Sequence, residues 1–250
     1  MRCAVQCATL GPVRRTDIKS EQERSEAIAW DDGCLTDPVR NEFLIPKLRQ
    51  FFEKERPPKI LDLGAGTGYI SRVVDSQLGY RPDWTLVDIN SERLWLAEER
   101  KPPAMRMRHL ICSIADIKPN DQPYHAVLLT FTLLEANDVD AMLASAIGSL
   151  AANGLLIIAV PDVWRDVVET MDERSTLPRR LLRETISIPK IDKFTGALYP
   201  FYAMRTETLI SAVLIQFCVL ENLERGGPQG EVYLLVFRKR SLVEPEMSCE

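Results

Sequence analysis

Three glycines at alternate positions, Gly64, Gly66 and Gly68, interrupt the stretch "KILDLGAGTGYI" between a short apolar run and a new amphipathic pattern. Without a Cβ, a glycine lets the backbone turn sharply and approach a ligand closely. The helix that follows presents unpaired amides at its start. The pattern suits a nucleotide, and a tight strand-to-helix turn with no ligand is the plainer alternative. Spacing sorts the nucleotides. A dinucleotide fingerprint needs its third glycine where Tyr69 stands, and a phosphate loop needs a lysine that does not follow Gly68. Asp88, in "LVDIN", lies 20 residues after Gly68. A carboxylate there can accept hydrogen bonds from both hydroxyls of a ribose, or it can cap the next helix.

The elements that must position these residues alternate. Lys59–Leu63 reads as a buried strand and Tyr69–Leu78 as a helix with Ile70, Val73, Val74 and Leu78 inward. Trp84–Ile89 is a second strand, followed by a helix capped by Asn90 or Ser91. "MRHLICSI" and "AVLLTF" are the third and fourth strands. Asp138 caps a helix that "NG" at Asn153–Gly154 stops, and "LLIIAV" is the fifth strand. Upstream, Asp37 can cap a helix with Pro38 at its first position, and Pro46 can split that helix in two. Downstream, Thr206 caps a last helix, and "FCVLENLE" and "EVYLLVFR" form an antiparallel hairpin around "RGGPQG". The expected fold is α/β, a Rossmann-like doubly wound seven-stranded sheet, mostly parallel, with an antiparallel C-terminal hairpin strand.

The stretch "LDLGAGTG", Leu61 to Gly68, resembles the nucleotide loop of the class I S-adenosylmethionine-dependent methyltransferases and matches that motif without departure. The resemblance runs from about Trp30 to Arg238 and is strongest over residues 59–90 and at the terminal hairpin. It implies S-adenosyl-L-methionine as cofactor, with Asp88 on the ribose and Asp62 beneath the loop near the methionine part. It also carries Gly64, Ala65, Gly66, Gly68, Ile89, Ser113, Ile114 and Thr130 over as cofactor contacts. One departure stands out. Cys112 and Ser113 occupy the places where family members often have a Gly-Asp pair beside the adenine. Ser113 can still bond the adenine amine, with Ile114 against the ring.

Open α/β sheets bind ligands beyond the carboxyl ends of their strands. His125 starts the fourth strand and His109 stands near the start of the third, so neither is expected to act as a base. The carboxyl ends offer Thr130, Phe131, Thr132 and Glu135, then Pro161 and Asp162, the last as a helix cap. Glu135 is either a substrate contact or the polar start of a loop. Residues 163–205 form a long connection, read as a helical lid, holding Phe194, Tyr199, Phe201, Tyr202 and Arg205. Glu135, Tyr199 and Tyr202 are the catalytic candidates. Trp30, Tyr199, Tyr202 and Arg205 are the candidate substrate contacts, with aromatic packing of the lid as the alternative. An activated methyl group needs alignment and exclusion of water more than a particular base.

Bulk properties bound the partners. Net charge is −5 over 250 residues, which argues against a nucleic-acid footprint. The acceptor is therefore read as a small molecule, with a protein substrate or a non-catalytic methyltransferase-like partner subunit as rivals. The six cysteines lack metal-site spacing, Cys3 and Cys7 stop short of a triad at Leu10, and no histidine–carboxylate cluster suggests a metal. Free thiols point to the cytoplasm, and no apolar run is long enough to span a membrane. Residues 1–25 are expected to be a disordered arm, although Arg2, Arg14 and Arg15 allow an organelle-targeting reading. The methyltransferase domain is expected over 26–240, with N-terminal helices over 26–56, and 241–250 as a loose tail.

Overall fold

A computed structural model describes residues 18–118, 123–136 and 138–241. Helix α1 (Ile18–Cys34) begins inside the segment expected to be a disordered arm, which corrects that boundary. Residues 1–17 and 242–250, with Cys3, Cys7 and Cys249, lie outside the described residues.

The helix expected from Asp37 is split, as Pro46 suggests. A π-helical turn, Val39–Leu44, leads into α2 (Ile45–Glu55), where Pro46 occupies the first turn and needs no backbone donor. Asp37 is not its cap, since Pro38 holds that position. Leu44, Ile45, Leu48 and Phe52 share the buried face of α2. Arg56, at φ 48°, ends the helix in the left-handed conformation.

Five parallel strands follow: β1 (Lys59–Leu63), β2 (Asp83–Asp88), β3 (Arg106–Ile111), β4 (Tyr124–Thr130) and β5 (Leu150–Pro161). Helices α3 (Tyr69–Gln77), α4 (Ser91–Glu99) and α5 (Val139–Gly148) link them. Asn90 caps α4 and Asp138 caps α5 through their side-chain oxygens. Helix α5 ends before the Asn153–Gly154 pair, and Asn153 turns at φ 62° within β5.

After β5 come α6 (Val163–Thr170), α7 (Leu177–Leu181), β6 (Ile186–Ile191), β7 (Leu198–Ala203) and α8 (Thr206–Leu214). Thr206 opens α8 as its first residue and Arg205 takes the cap position. The terminal hairpin is β8 (Cys218–Gly226) and β9 (Val232–Lys239). The seven-stranded sheet runs β3-β2-β1-β4-β5-β9-β8, parallel through β5 and antiparallel across β9 and β8.

Central strands such as β1 are buried along nearly their whole length because helices cover both faces. One core packs Leu48, Phe52, Val74, Trp84 and Leu94; the other packs Leu143, Ile147, Leu209, Val213 and Phe237. Each such side chain contributes about 1.5–3 kcal/mol on burial. The connection over 163–205 is only partly helical. Strands β6 and β7 pair as a separate antiparallel hairpin whose inner residues, Ile186, Ile188, Phe201 and Ala203, make a third core with Val163 and Val167.

Candidate active site

The loop between β1 and α3 is held by backbone. Gly64 and Ala65 donate to the Val87 carbonyl at 2.8 and 2.9 Å. Gly64, Gly66 and Gly68 all have positive φ, at 68°, 56° and 66°, but they serve different ends. A Cβ on Gly64 would strike the Thr132 side chain at 2.3 Å, and one on Gly68 would strike Leu86 at 2.6 Å. At Gly66 the nearest atom is on Trp30, 3.9 Å away, so of the three this glycine alone leaves room for a Cβ. Gly64, Ala65 and Gly66 line a large cavity and Gly68 does not. Gly68 is a packing position, which corrects its expected approach to a ligand.

Asp88 closes β2 and is 7% exposed. One of its oxygens accepts from the Gly66 amide and the other from the Asn90 amide, both at 2.8 Å. The acid is thus pinned at the sheet's carboxyl edge with lone pairs to spare, while Asn90 does the helix capping. Asp62 is fully enclosed. Its Oδ2 accepts from the Ser71 hydroxyl, and its Oδ1 has no hydrogen-bond partner. Burial, opposed by Ser71 and reinforced by the nearby charge of Asp88, pushes its carboxyl up to about 6. A buried acceptor without a donor costs about 1–3 kcal/mol, the sort of debt a ligand can settle.

Further along the same edge, Ile89, Ser113, Ile114 and Thr130 line the cavity. Ile89 is 74% exposed, an apolar side chain left facing the opening. The cavity extends to about 850 Å³. Its far wall comes from α1, the 133–135 turn and the β6–β7 hairpin. Trp30 meets Phe194 edge to face at 6.1 Å, and Phe194 lies over Gly33, where a Cβ would collide with its ring at 2.3 Å. Asp31 anchors α1 to the glycine loop by accepting from the Thr67 hydroxyl, Arg72 and Arg100.

Trp30, Glu135 and Tyr199 line this wall; Tyr202 and Arg205 do not. Tyr202 is an odd number of residues from Tyr199, so the two point to opposite faces of β7. Arg205 pairs instead with Glu207 at 3.5 Å. Glu135 opens onto the cavity with protein close on its other sides. That desolvation raises its carboxyl above the ordinary value against the pull of Arg93, with Asp88 and Asp192 adding to the rise. Burial also raises Tyr199, as do Asp192, Glu135 and Asp166.

Neither histidine lines the cavity. His125 sits beside Asn153 and Gly154 near the amino end of β4, while His109 lies in the middle of β3, not at its start. Asp162 caps α6 as expected and also pairs with Arg225 at 2.5 Å. Arg40 and Arg93 are lining residues that sequence reasoning did not single out, while Phe194, noted there among the aromatics of the long connection, lines the cavity too. For Phe194 a signal existed: "ISIPKI" and "LYPFYA" flank "DKFTG", an alternating pattern around a turn.

Residues 60–154 match the family model described as a methyltransferase domain. Over that span the chain is similar to methyltransferase domains. Solved structures agree on the fold. The N-methyltransferase NodS from Bradyrhizobium japonicum, in complex with S-adenosyl-L-homocysteine, aligns at TM-score 0.62 and 13% identity, covering 90% of this chain and 100% of its own. The PH0226 protein from Pyrococcus horikoshii aligns at 0.61 and 19%, covering 81% and 90%. An S-adenosylmethionine-dependent methyltransferase from Mesorhizobium loti aligns at 0.56 and 12%, covering 72% and 90%. At these identities the likeness extends to architecture alone. No curated protein matches the sequence. Among the described residues, no helix is long and apolar enough to cross a membrane.

Proposed function

We propose that this methyltransferase holds its cofactor along the carboxyl ends of β1, β2 and β4 and delivers the methyl group to a small molecule beneath the β6–β7 hairpin. The observation that carries this reading is one continuous cavity lined by Gly66, Asp88, Glu135 and Tyr199 together. Its volume lies within the range of small-ligand sites, about 300–1,000 Å³.

The residues fit the cofactor. Asp88 accepts from the two ribose hydroxyls, the Gly66 amide having already fixed its orientation. Ile89 and Ile114 pack against the adenine, and the Ser113 hydroxyl bonds its amine. Gly64, Ala65 and Thr130 contact the cofactor from the strand ends. The unpartnered Oδ1 of Asp62 takes a donor from the methionine end. When bound, the cofactor supplies a methyl group activated on a sulfonium. The chain's contribution is then alignment and exclusion of water under the hairpin. Tyr199 orients the acceptor, and Glu135 takes the proton that the acceptor releases at its carboxylate, a role favoured by its raised pKa. Tyr202 and Arg205 have no direct part in this.

Labelled methyl transfer from S-adenosylmethionine into fractionated extracts tests the reading. Label is expected in the low-mass fraction; label in protein alone overturns the small-molecule assignment.

A further inference from the structure

The hairpin end of the cavity holds two acids that no neighbouring cation neutralises. Glu135, Asp192 and Tyr199 line the wall there together. Among the described residues, no hydrogen-bond donor or ion-pair partner reaches the Glu135 carboxylate. Arg93 acts on it only from beyond ion-pair distance. Asp192 accepts from the Phe194 and Thr195 amides and the Thr195 hydroxyl through Oδ1 alone, and none of these carries a charge.

The cations nearby are committed elsewhere. Lys190 pairs with Asp166 and, at 3.7 Å, with Glu169, which Arg165 also holds at 3.1 Å. Lys193 reaches the other way, to Asp37 at 2.9 Å. Arg40 and Arg93 gather at the Trp30 ring, 5.0 and 6.0 Å from its centre, beside Gly66. Burial raises the Tyr199 hydroxyl, and the charges acting on it, Asp192, Glu135 and Asp166, are all negative. Tyr199 therefore keeps its proton and is no base.

We propose that the acceptor is a small amine, held as its ammonium ion between the Glu135 carboxylate and Tyr199, with Leu134 and Phe201 against its apolar body. This rests on the proposed function above and names its substrate class. Leu134, Tyr199 and Phe201 belong to the same core cluster and all line the cavity, so one small body can meet all three.

The direction in which charge moves selects the amine. The ammonium gives one proton to Glu135 and, through its open side, to solvent. The freed lone pair forms a bond to the methyl carbon while the carbon–sulfur bond breaks, its electron pair staying on sulfur. Positive charge thus leaves sulfur and builds on nitrogen, and the product is an N-methylammonium. Carboxylates fixed at that end favour this transition state over the neutral amine that precedes it. A phenolate, alkoxide or carboxylate acceptor would bring negative charge to the same two acids and be repelled.

Calorimetry on the full chain loaded with S-adenosylhomocysteine compares three probes that share one ring: phenethylamine, phenethyl alcohol and phenylacetate. Wild type is expected to bind the amine at least tenfold more tightly than the other two. Glu135→Gln is expected to lose at least tenfold in amine affinity and to hold the alcohol within about twofold of wild type. Alcohol or carboxylate bound as tightly as the amine, binding of no probe, or an amine affinity that Glu135→Gln leaves unchanged overturns the proposal. Should Glu135→Gln not fold by thermal melt, the wild-type preference alone decides. Failure to bind S-adenosylhomocysteine sinks the underlying cofactor reading instead. A stable carbon isotope in the transferred methyl group then reads the bond formed in extracts. Label on nitrogen in a low-mass product is expected, and label on oxygen, sulfur or carbon overturns the amine.

Discussion

From Leu63 to Asn90 the cavity wall is mostly backbone, with Gly64 and Ala65 on the Val87 carbonyl and the Gly66 and Asn90 amides on Asp88. Across from it the wall is side chains, Trp30, Arg40, Phe131, Glu135, Phe194 and Tyr199, gathered from five separate segments. The first wall is written in fewer than thirty consecutive residues, and in the proposed function it recognises what every reaction of this class shares. The second depends on contacts between residues as distant as Trp30 and Phe194, and in the proposed function it faces the part of the ligand that varies. Within one fold, common chemistry sits on short-range geometry and specificity on long-range packing.

Asp88→Ala should break the contrast hardest. Losing two charge-assisted bonds at about 1.5 kcal/mol each predicts a fall in S-adenosylmethionine affinity of roughly 100-fold. Tyr199→Phe, on the opposite wall, should leave that affinity within about twofold. Titration calorimetry on both variants checks this, and equal losses would show that the walls are not independent.

Asp62 tests the same wall through pH. Its carboxyl rises from an ordinary 3.8 to about 6 in the folded chain. The folded state therefore binds a proton more tightly than the unfolded chain, and stability declines as pH rises between those values. Above pH 6 the full penalty is present, roughly 3 kcal/mol for a shift of this size. Asp62→Asn is expected to stabilise the ligand-free protein by about that much at pH 8 and by almost nothing below pH 4, while weakening cofactor binding. Urea melts across pH read the difference; a gain that persists at low pH would mean that titration is not its source.

The sequence made the first wall legible because its signals are local. Glycine spacing, an acid at a fixed distance and strand–helix alternation place Asp62, Gly66 and Asp88, and the sheet order follows from the same alternation and the terminal hairpin. The second wall was legible only in part. Trp30, Glu135 and Tyr199 line the cavity, but Tyr202 points to the other face of β7, because reading residues 163–205 as helical hid the period of two. Arg40 gave no signal at all. A lone arginine in an amphipathic helix is ordinary, and only its burial among aromatic rings from distant segments sets it apart.

Even inside the glycine loop the contrast between ligand geometry and packing can be sharpened. Gly68→Ala puts a Cβ 2.6 Å from Leu86 and 3.3 Å from Ala97 at a positive φ. Overpacking and backbone strain together predict a stability loss of about 2–4 kcal/mol. Gly66→Ala meets nothing closer than 3.9 Å and should lose only about 1 kcal/mol of stability, from its left-handed backbone. Its larger effect should fall on cofactor affinity. Thermal melts and calorimetry on the pair separate the roles, and matched stability losses would refute the division.

The smallest expected effect concerns how firmly the second wall is fixed. Lys193 reaches Asp37 from the hairpin tip, but its side chain is 61% exposed, so solvent screens the pair and its contribution to stability is about 0.2–1 kcal/mol. The Phe194 ring over Gly33 and the Asp192 side chain, which accepts from the Phe194 and Thr195 amides, hold the tip without it. Lys193→Ala should therefore leave the global melt nearly unchanged. Amide exchange should speed up only at the tip, because opening there exposes little of the three cores. A global loss above about 2 kcal/mol would show that the hairpin is cooperative with the sheet, and the long-range wall would then be as rigid as the local one. Confinement of the change to residues 192–197 would place the hairpin among the elements that open for ligand entry while the cofactor wall stays fixed.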